Sequence, residues 1–547
     1  MNVTTAASGS TDRRAATVAM ACLGVFVAYL PITTVAVSLP AIQRALNTST
    51  AQLSWVQDAF VLPMAAFILT AGVFGDVHGR KKVFQAGLFL SAVGALVALC
   101  AHNIQTLWAG QALAGLGSAA LLPTTLALIS HGVPDFRERG KFIGMWAMAL
   151  LAALAVGPVI AGVVLDHYSW RWIYLLSIPL SLLALAVAAP LLTDSRAPHG
   201  RKLDWPGQIT AAVGVTALVY GVIEGGADSF TSAKVVAALA LGIIALVAFV
   251  VAERRSASPM LDLAVFRSAA FTATALIALI TFLGLIGFFF VLSLYFGMVQ
   301  QLGTLEAGAR LLLVPVAAIV AGAPAGRLMH RVPARRMITV GLLLIAGSLL
   351  AMTNLDAGTS YSSIAWRLIV LGVGLGLVTT PMTATAVAAV PHHLAGMASA
   401  ANNAFRQVGG ALGPAVLGAL LSTRAVHALP GHLADAGVTG SQAHAIVATA
   451  KEGGLGAVAG MNLGSKAGQV YAALGDSLID GMRLCLIVAA GLVLVAAVCG
   501  VTLLRRPQQA AAAPARGAGE AQQAPMGAPT GNVGAAGPAE PLGHRRA

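Results

Sequence analysis

Gly72-Val73-Phe74-Gly75-Asp76-Val77-His78-Gly79-Arg80-Lys81-Lys82 closes one long apolar run and opens the next. Glycines at 72, 75 and 79 let helices approach closely and let the connection turn sharply. Asp76 sits at a helix end, with three cations just beyond it. Two apolar runs of about 20 residues joined by so short a basic turn fit a helical hairpin that crosses about 30 Å of hydrocarbon twice. The acid facing its cluster of cations suits a charge latch at the membrane surface, made and broken as helices move.

The rest of the chain repeats this pattern. Of 547 residues, 58% are hydrophobic and only 10% charged, with a mean hydropathy of +0.83. A soluble domain carries about 25% charge, so most of this surface must face lipid. The net charge of +13 sits in short clusters between apolar runs and forms no basic helix or patch. This points to an anionic membrane leaflet and away from nucleic acid. Cys22, Cys100, Cys485 and Cys499 each lie inside an apolar run, without zinc or redox spacing; neither a metal nor a cofactor is expected. There is no phosphate-binding GxxxxGK[ST] stretch, so no enzymatic centre is expected. The first apolar run, from about Ala16 to Pro40, is too long for a cleaved signal peptide and reads as the first membrane span.

Spans are expected to begin near residues 16, 51, 84, 106, 142, 173, 207, 233, 270, 306, 337, 363, 398 and 481. Fourteen spans put both termini on one side. About 23 of the 33 Lys and Arg fall in the loops and tail of that side, including Arg13, Arg14, Arg137, Arg139, Lys141, Arg196, Arg201, Lys202, Arg254 and Arg255. The positive-inside rule therefore makes both termini cytoplasmic, in a multi-pass protein of the cytoplasmic (inner) membrane. The expected division is a cytoplasmic tail 1–15, a six-helix bundle 16–193, two inserted helices 207–252, and a second bundle 269–504. Residues 423–478 are expected to form an Ala/Gly-rich external loop, partly an amphipathic helix, and residues 505–547 a disordered cytoplasmic tail.

The turn at 72–82 resembles the signature loop of the major facilitator superfamily, G-x-x-x-D-x-x-G-R-K, carried here by Gly72, Asp76, Gly79, Arg80 and Lys81. Gly157-Pro158-Val159-Ile160-Ala161-Gly162 is similar to the antiporter motif of its drug-efflux branches, with one Gly changed to Ala. Trp170-Arg171-Trp172-Ile173-Tyr174, Leu203-Asp204-Trp205-Pro206-Gly207 and Tyr220-Gly221-Val222-Ile223-Glu224-Gly225 extend the resemblance to the fourteen-helix drug:proton antiporter family. The second half echoes the first: Gly326-Arg327-Leu328-Met329-His330-Arg331, with Arg335 and Arg336, is a degraded copy of the signature loop. Arg367 with Gly372, Gly374 and Gly376 resembles a copy of the fourth-span motif. The resemblance implies an all-α polytopic fold of two pseudo-symmetric six-helix bundles plus two inserted helices. It also implies proton-driven export of hydrophobic or amphiphilic molecules, as in bacterial multidrug and antibiotic efflux.

The chain departs from that family at three polar positions. Where the first span usually carries L-D-x-T-x-V-N, this one reads Leu30-Pro31-Ile32-Thr33-Thr34-Val35-Ala36, and the fourth-span arginine is Gln111. The acid and the arginine, both usually tied to proton coupling, are absent. Asp58 lies about 10 Å inside the second span, at 1.5 Å per residue, at a depth similar to that of Pro31. An ionisable group at such a depth marks a functional site by default, so Asp58, with Gln111 able to hydrogen-bond it, is the proposed proton site. The bland reading of Asp58 is a side chain that snorkels to water or caps a helix. In the second half Arg367, Asn402 and Arg406 are polar candidates. Arg406 fits a gate at the cytoplasmic end of its span or an ordinary interfacial cation, and Arg367 fits snorkelling. Export of a single metabolite, and an uncoupled uniporter or membrane sensor, remain open alternatives.

Overall fold

The computed structural model describes residues 4–504 except positions 47, 49, 133–135, 196–202, 228, 330, 392–393, 454, 459–460 and 462. Arg196, Arg201, Lys202, His330 and the tail 505–547, with its expected disorder, lie outside the described residues.

Helices account for the fold, and among the described residues there is no strand. In hydrocarbon every N–H and C=O must be paired within its own segment, which selects helices. The first half comprises α1 (Thr4–Leu46), α2 (Thr50–His78), α3 (Arg80–Leu99), α4 (Ile104–Gly132), α5 (Phe136–His167) and α6 (Ser177–Leu191). Two inserted helices follow, α7 (Trp205–Ala227) and α8 (Ala233–Arg255). The second half begins with α9 (Ala269–Leu294), which ends in a π turn at Tyr295–Val299. It continues with α10 (Thr304–Leu311), α11 (Leu313–Leu328), α12 (Ala334–Ala351), α13 (Tyr361–Ala388) and α14 (Ala395–Asp435). Then come the short α15 (Ser441–Gly453) and α16 (Leu455–Val458), and finally α17 (Ala467–Leu503). With α10 and α11 counted as one, 14 helical segments among the described residues are long and apolar enough to cross a membrane.

The two halves repeat one packing scheme. A Cβ on Gly94 of α3 would lie 2.7 Å from the Gly110 carbonyl of α4, and one on Gly110 would lie 2.9 Å from the Gly94 carbonyl. In the second half, Gly341 of α12 and Gly374 of α13 stand in the same reciprocal relation, each 2.6 Å from the other's carbonyl. Gly115 presses α4 onto the Phe60 carbonyl of α2, as Gly372 presses α13 onto the Val314 carbonyl of α11. Lipid offers helices no hydrophobic incentive to associate, so close backbone contact at small residues is what holds each half.

The halves meet along two lines, α2 with α14 and α5 with α10 and α11. The inserted helix α7 lies over the first of these lines. Near one end Gln208 donates from Nε2 to the Ala66 carbonyl of α2 at 3.0 Å and is hydrogen-bonded to Thr70. Near the other, Gly226 abuts Ala419 of α14. The next helix, α8, packs on α7; only 17% of its apolar window is buried, so its remaining faces are left to lipid.

The stretch read as a loop over 423–478 is largely helix. α14 runs on to Asp435 and α17 starts at Ala467, well before residue 481. These extensions pack on each other through Leu429, Leu433, Leu474 and Leu478, all buried. They are tied by His432 Nε2 of α14 to Asp480 of α17 at 3.1 Å, and Arg483, one turn along α17, also pairs with Asp480 at 3.3 Å. Mutual burial stabilises helix where the sequence is too polar to signal a span.

Candidate functional site

The turn between α2 and α3 is built around Gly79, whose φ of +111° is a conformation L side chains rarely adopt. A Cβ there would also overlap the Asp194 carboxylate. Arg80 donates to Asp76 Oδ1 from Nε at 3.1 Å and from Nη2 at 2.9 Å. The backbone of the turn is clamped to the end of α6: Arg80 N donates to the Ser195 carbonyl at 3.0 Å, Lys81 N to Asp194 Oδ1 at 3.2 Å, and Lys81 Nζ to the Ala189 carbonyl at 2.7 Å. Gly72 fits against Pro123 of α4, with room for a Cβ only at 3.4 Å. Asp194 was missed by sequence reasoning because it lies 113 residues from its partner, in a stretch without a motif.

Asp58 is fully buried. Neither carboxylate oxygen has a hydrogen-bond partner among the described residues. Its neighbour Gln57 is buried as well, with its amide oxygen unpaired. Gln111 is buried on α4, but its Nε2 donates to the Val56 carbonyl at 3.1 Å rather than to Asp58. Its side chain instead lines a narrow crevice with Val27, Pro31, Ser91, Ser118 and Tyr174. The substituted first-span and fourth-span positions therefore face one space, and Asp58 is held apart from Gln111.

The glycines of the antiporter-like motif serve two different contacts. A Cβ on Gly157 would overlap the Thr33 hydroxyl and lie 3.0 Å from Thr34 N, so this residue seats α5 on α1 within the first half. Gly162 faces the other half: a Cβ would overlap Leu305 Cα and lie 2.7 Å from Leu305 Cδ1 on α10. Gly308 answers it, with the Pro158 carbonyl 2.6 Å from where its Cβ would be. The end of α5 and the start of α10 thus form a close seam between the halves, with one glycine on each side: Gly162 against Leu305 and Gly308 against Pro158.

The second-half candidates separate. Arg367 is half-buried, with its guanidinium 5.4 Å from the Trp366 ring centroid and with Nε and Nη1 unpaired. Arg406 is buried at 3% exposure, which excludes an interfacial cation that reaches water. It donates through Nη2 to the Thr383 hydroxyl of α13 and lies 5.4 Å from the Phe282 ring centroid of α9. The adjacent Gln407 donates from Nε2 to the Tyr29 hydroxyl of α1 at 2.7 Å, joining the halves. Asn402 donates to the Thr274 carbonyl at 3.3 Å, leaving its Oδ1 unpaired, as is Oδ1 of Asn403. Tyr29, Phe282 and Thr383 were not singled out from sequence, because their contacts to Arg406 and Gln407 come from other helices. No cluster of three or more His, Cys, Asp or Glu suited to a metal occurs among the described residues.

Two halves of six helices with glycine-seated interfaces and buried polar groups along the line between them form the repeat architecture of many secondary transporters. The family model for the Major Facilitator Superfamily matches residues 21–414. The chain belongs to the Major Facilitator Superfamily. It is 32% identical over 497 residues to the tetracenomycin C resistance and export protein of Streptomyces glaucescens, covering 90% of this chain and 92% of that one. It is 31% identical to the multidrug efflux pump LfrA of Mycolicibacterium smegmatis, covering 89% and 96% respectively. Among solved structures, a bacterial homologue of the lysosomal transporter Spinster shares the fold, with a TM-score of 0.58 at 15% identity over 90% of this chain and 99% of that one.

Proposed function

We propose that this chain exports hydrophobic or amphiphilic small molecules across the bacterial cytoplasmic membrane, exchanging them for protons, with Asp58 as the proton-carrying group. Export is the role of the relatives that match nearly the whole chain, an antibiotic export protein and a multidrug efflux pump. The observation that carries the coupling is the fully buried, unpartnered carboxyl of Asp58. A carboxylate in such a place is unsolvated and unpaired, at a cost of about several kcal/mol, whereas the neutral acid avoids that cost. Movement of the halves that brings water or a donor to Asp58 releases the proton, and closure takes it up again. Substrate binds between the halves among apolar and aromatic walls.

The test is efflux of two aromatic dyes, cationic ethidium and anionic fluorescein, from loaded cells that express the chain. Efflux of at least one dye exceeds that of cells without it, and collapses when an uncoupler removes the proton gradient; efflux that survives the uncoupler refutes proton exchange. The orientation proposed with this function, both termini cytoplasmic, is read with a membrane-impermeant maleimide. Native Cys100, exposed just past α3, and an Ala445→Cys substitution in α15 both label in intact cells. Labelling only after lysis reverses the orientation.

The signature turn is proposed as a device for changing state. The Asp76–Arg80 pair is partly exposed, so it contributes only about 0.2–1 kcal/mol to stability. Asp76→Asn should lower efflux of the exported dye severalfold with the amount of protein in the membrane unchanged. Equal losses of protein and efflux would reduce the pair to a folding contact.

A further inference from the structure

The interior holds a buried cation with no anion to match it. Arg406 is nearly as buried as any side chain in the protein, yet it has no ion pair among the described residues. Its Nη2 is bonded to a neutral hydroxyl, and Nε has no partner. The titratable group that faces it is the Tyr29 hydroxyl across the line between the halves. Asp58, buried in the other half, has no charged neighbour, so it does not supply the missing anion. An arginine inside a membrane protein is costly, faces the interior and pairs with an opposite charge or marks a substrate path. Guanidinium is also the planar fork that fits carboxylate, sulfonate and phosphate oxygens.

The surroundings of Arg406 are those of a ligand site. Thr379 Oγ is buried and unpaired one turn from Thr383 on α13. Asn402 and Asn403 each keep an unpaired Oδ1 within one turn of Arg406 on α14, acceptors for a hydroxyl or N–H on the body of the ligand rather than for its anionic group. Phe282 and Tyr29 supply aromatic surface on α9 and α1. The polar groups and Phe282 thus come from the second half, and Tyr29 comes from the first.

We infer that Arg406 is the counter-charge for the substrate itself, so that this exporter selects amphiphiles carrying one anionic group (a carboxylate, sulfonate or ionised phenol) on an aromatic body. The inference rests on the export reading and names its substrate class. An anion entering between the halves meets the free Nε edge of the guanidinium, and its aromatic body lies against Phe282 and Tyr29. Binding neutralises a charge the empty protein holds alone, so anionic ligands gain over neutral ones of equal apolar area.

The test uses the full chain in lipid nanodiscs with two dyes that share an aromatic body: 8-anilinonaphthalene-1-sulfonate and its neutral analogue N-phenyl-1-naphthylamine. The wild type should bind the sulfonate about tenfold more tightly than the amine, and the sulfonate alone should raise its unfolding temperature. Arg406→Gln should weaken the sulfonate about tenfold and leave the amine within about twofold, whereas Arg406→Lys, which keeps charge without the fork, should fall between. Should Arg406→Gln fail to fold, the lysine variant and the wild type's selective thermal shift carry the test. Equal affinities in the wild type, or an unchanged sulfonate affinity in Arg406→Gln, overturn the anion site. Proteoliposomes separate the two readings: ethidium moved with no preference for the sulfonate keeps export and removes the anion site, whereas sulfonate bound through Arg406 but never moved keeps the site and removes export.

Discussion

Asp58→Asn abolishes proton-driven efflux and leaves substrate affinity within about twofold of the wild type, since the change removes a titrating group at nearly constant volume and each pKa unit of lost coupling is worth about 1.4 kcal/mol. The side chain is wholly buried, and neither oxygen is engaged. An amide in its place therefore breaks no hydrogen bond seen in this state, and the fold should tolerate it. It cannot take up or release a proton, so the halves change state without coupling to the gradient. Substrate-induced proton release from purified protein, measured beside binding, reads both quantities at once. Normal proton release from Asp58→Asn would place the coupling group elsewhere. Gln111→Glu is the informative companion. Gln111 lines the crevice at Pro31 and is bonded to the Val56 carbonyl, so an acid there adds a second titrating group without replacing Asp58. The variant should not restore efflux to Asp58→Asn.

The fold was legible because the bilayer imposes a single length on every element. Thirteen of the span starts expected from hydropathy fall within four residues of those in the structure; the exception is the last, expected near 481 and found at Gly464. There the helix leaves hydrocarbon and its signal vanishes, because Gly468, Gln469, Ala472 and Gly475 make no continuous apolar run. Only its packing against the extension of α14 keeps it helical. The signature turn was legible for a related reason: spacing fixes which residues meet when both partners lie within four positions, as Asp76 and Arg80 do. Contacts between distant segments left no such trace. The clamp of Lys81 on Asp194, and the Tyr29–Gln407 bond across 378 residues, depend on which helices pack side by side. The same holds for Arg406, since a cation nine residues into a span could reach the interface or be sealed by α9 and α13, and only the packing decides.

Gly162→Ala should cut transport about tenfold while leaving the protein folded, because overpacking a tight contact costs about 1–3 kcal/mol and here that cost falls on a single conformational state. The added methyl would meet the backbone of Leu305, which is not the movable end of a side chain. The α5–α10 seam joins the two halves, so they can relieve the overlap by moving apart. A bias of about 1–3 kcal/mol between states shifts their ratio by about 5- to 150-fold, enough to trap the protein with this seam open. Gly308→Ala presses on the Pro158 carbonyl from the other side and should behave alike. Gly157→Ala provides the contrast five positions away in the same helix. Its methyl would press on Thr33 and Thr34 of α1 within the first half, a contact that does not part when the halves move. It should lower the unfolding temperature and yield, with turnover per folded molecule largely kept. Efflux rate per molecule and unfolding temperature, measured for all three variants in proteoliposomes, distinguish the two behaviours. If Gly162→Ala and Gly157→Ala lose stability and turnover in the same proportion, the α5–α10 contact is ordinary packing and not the moving seam.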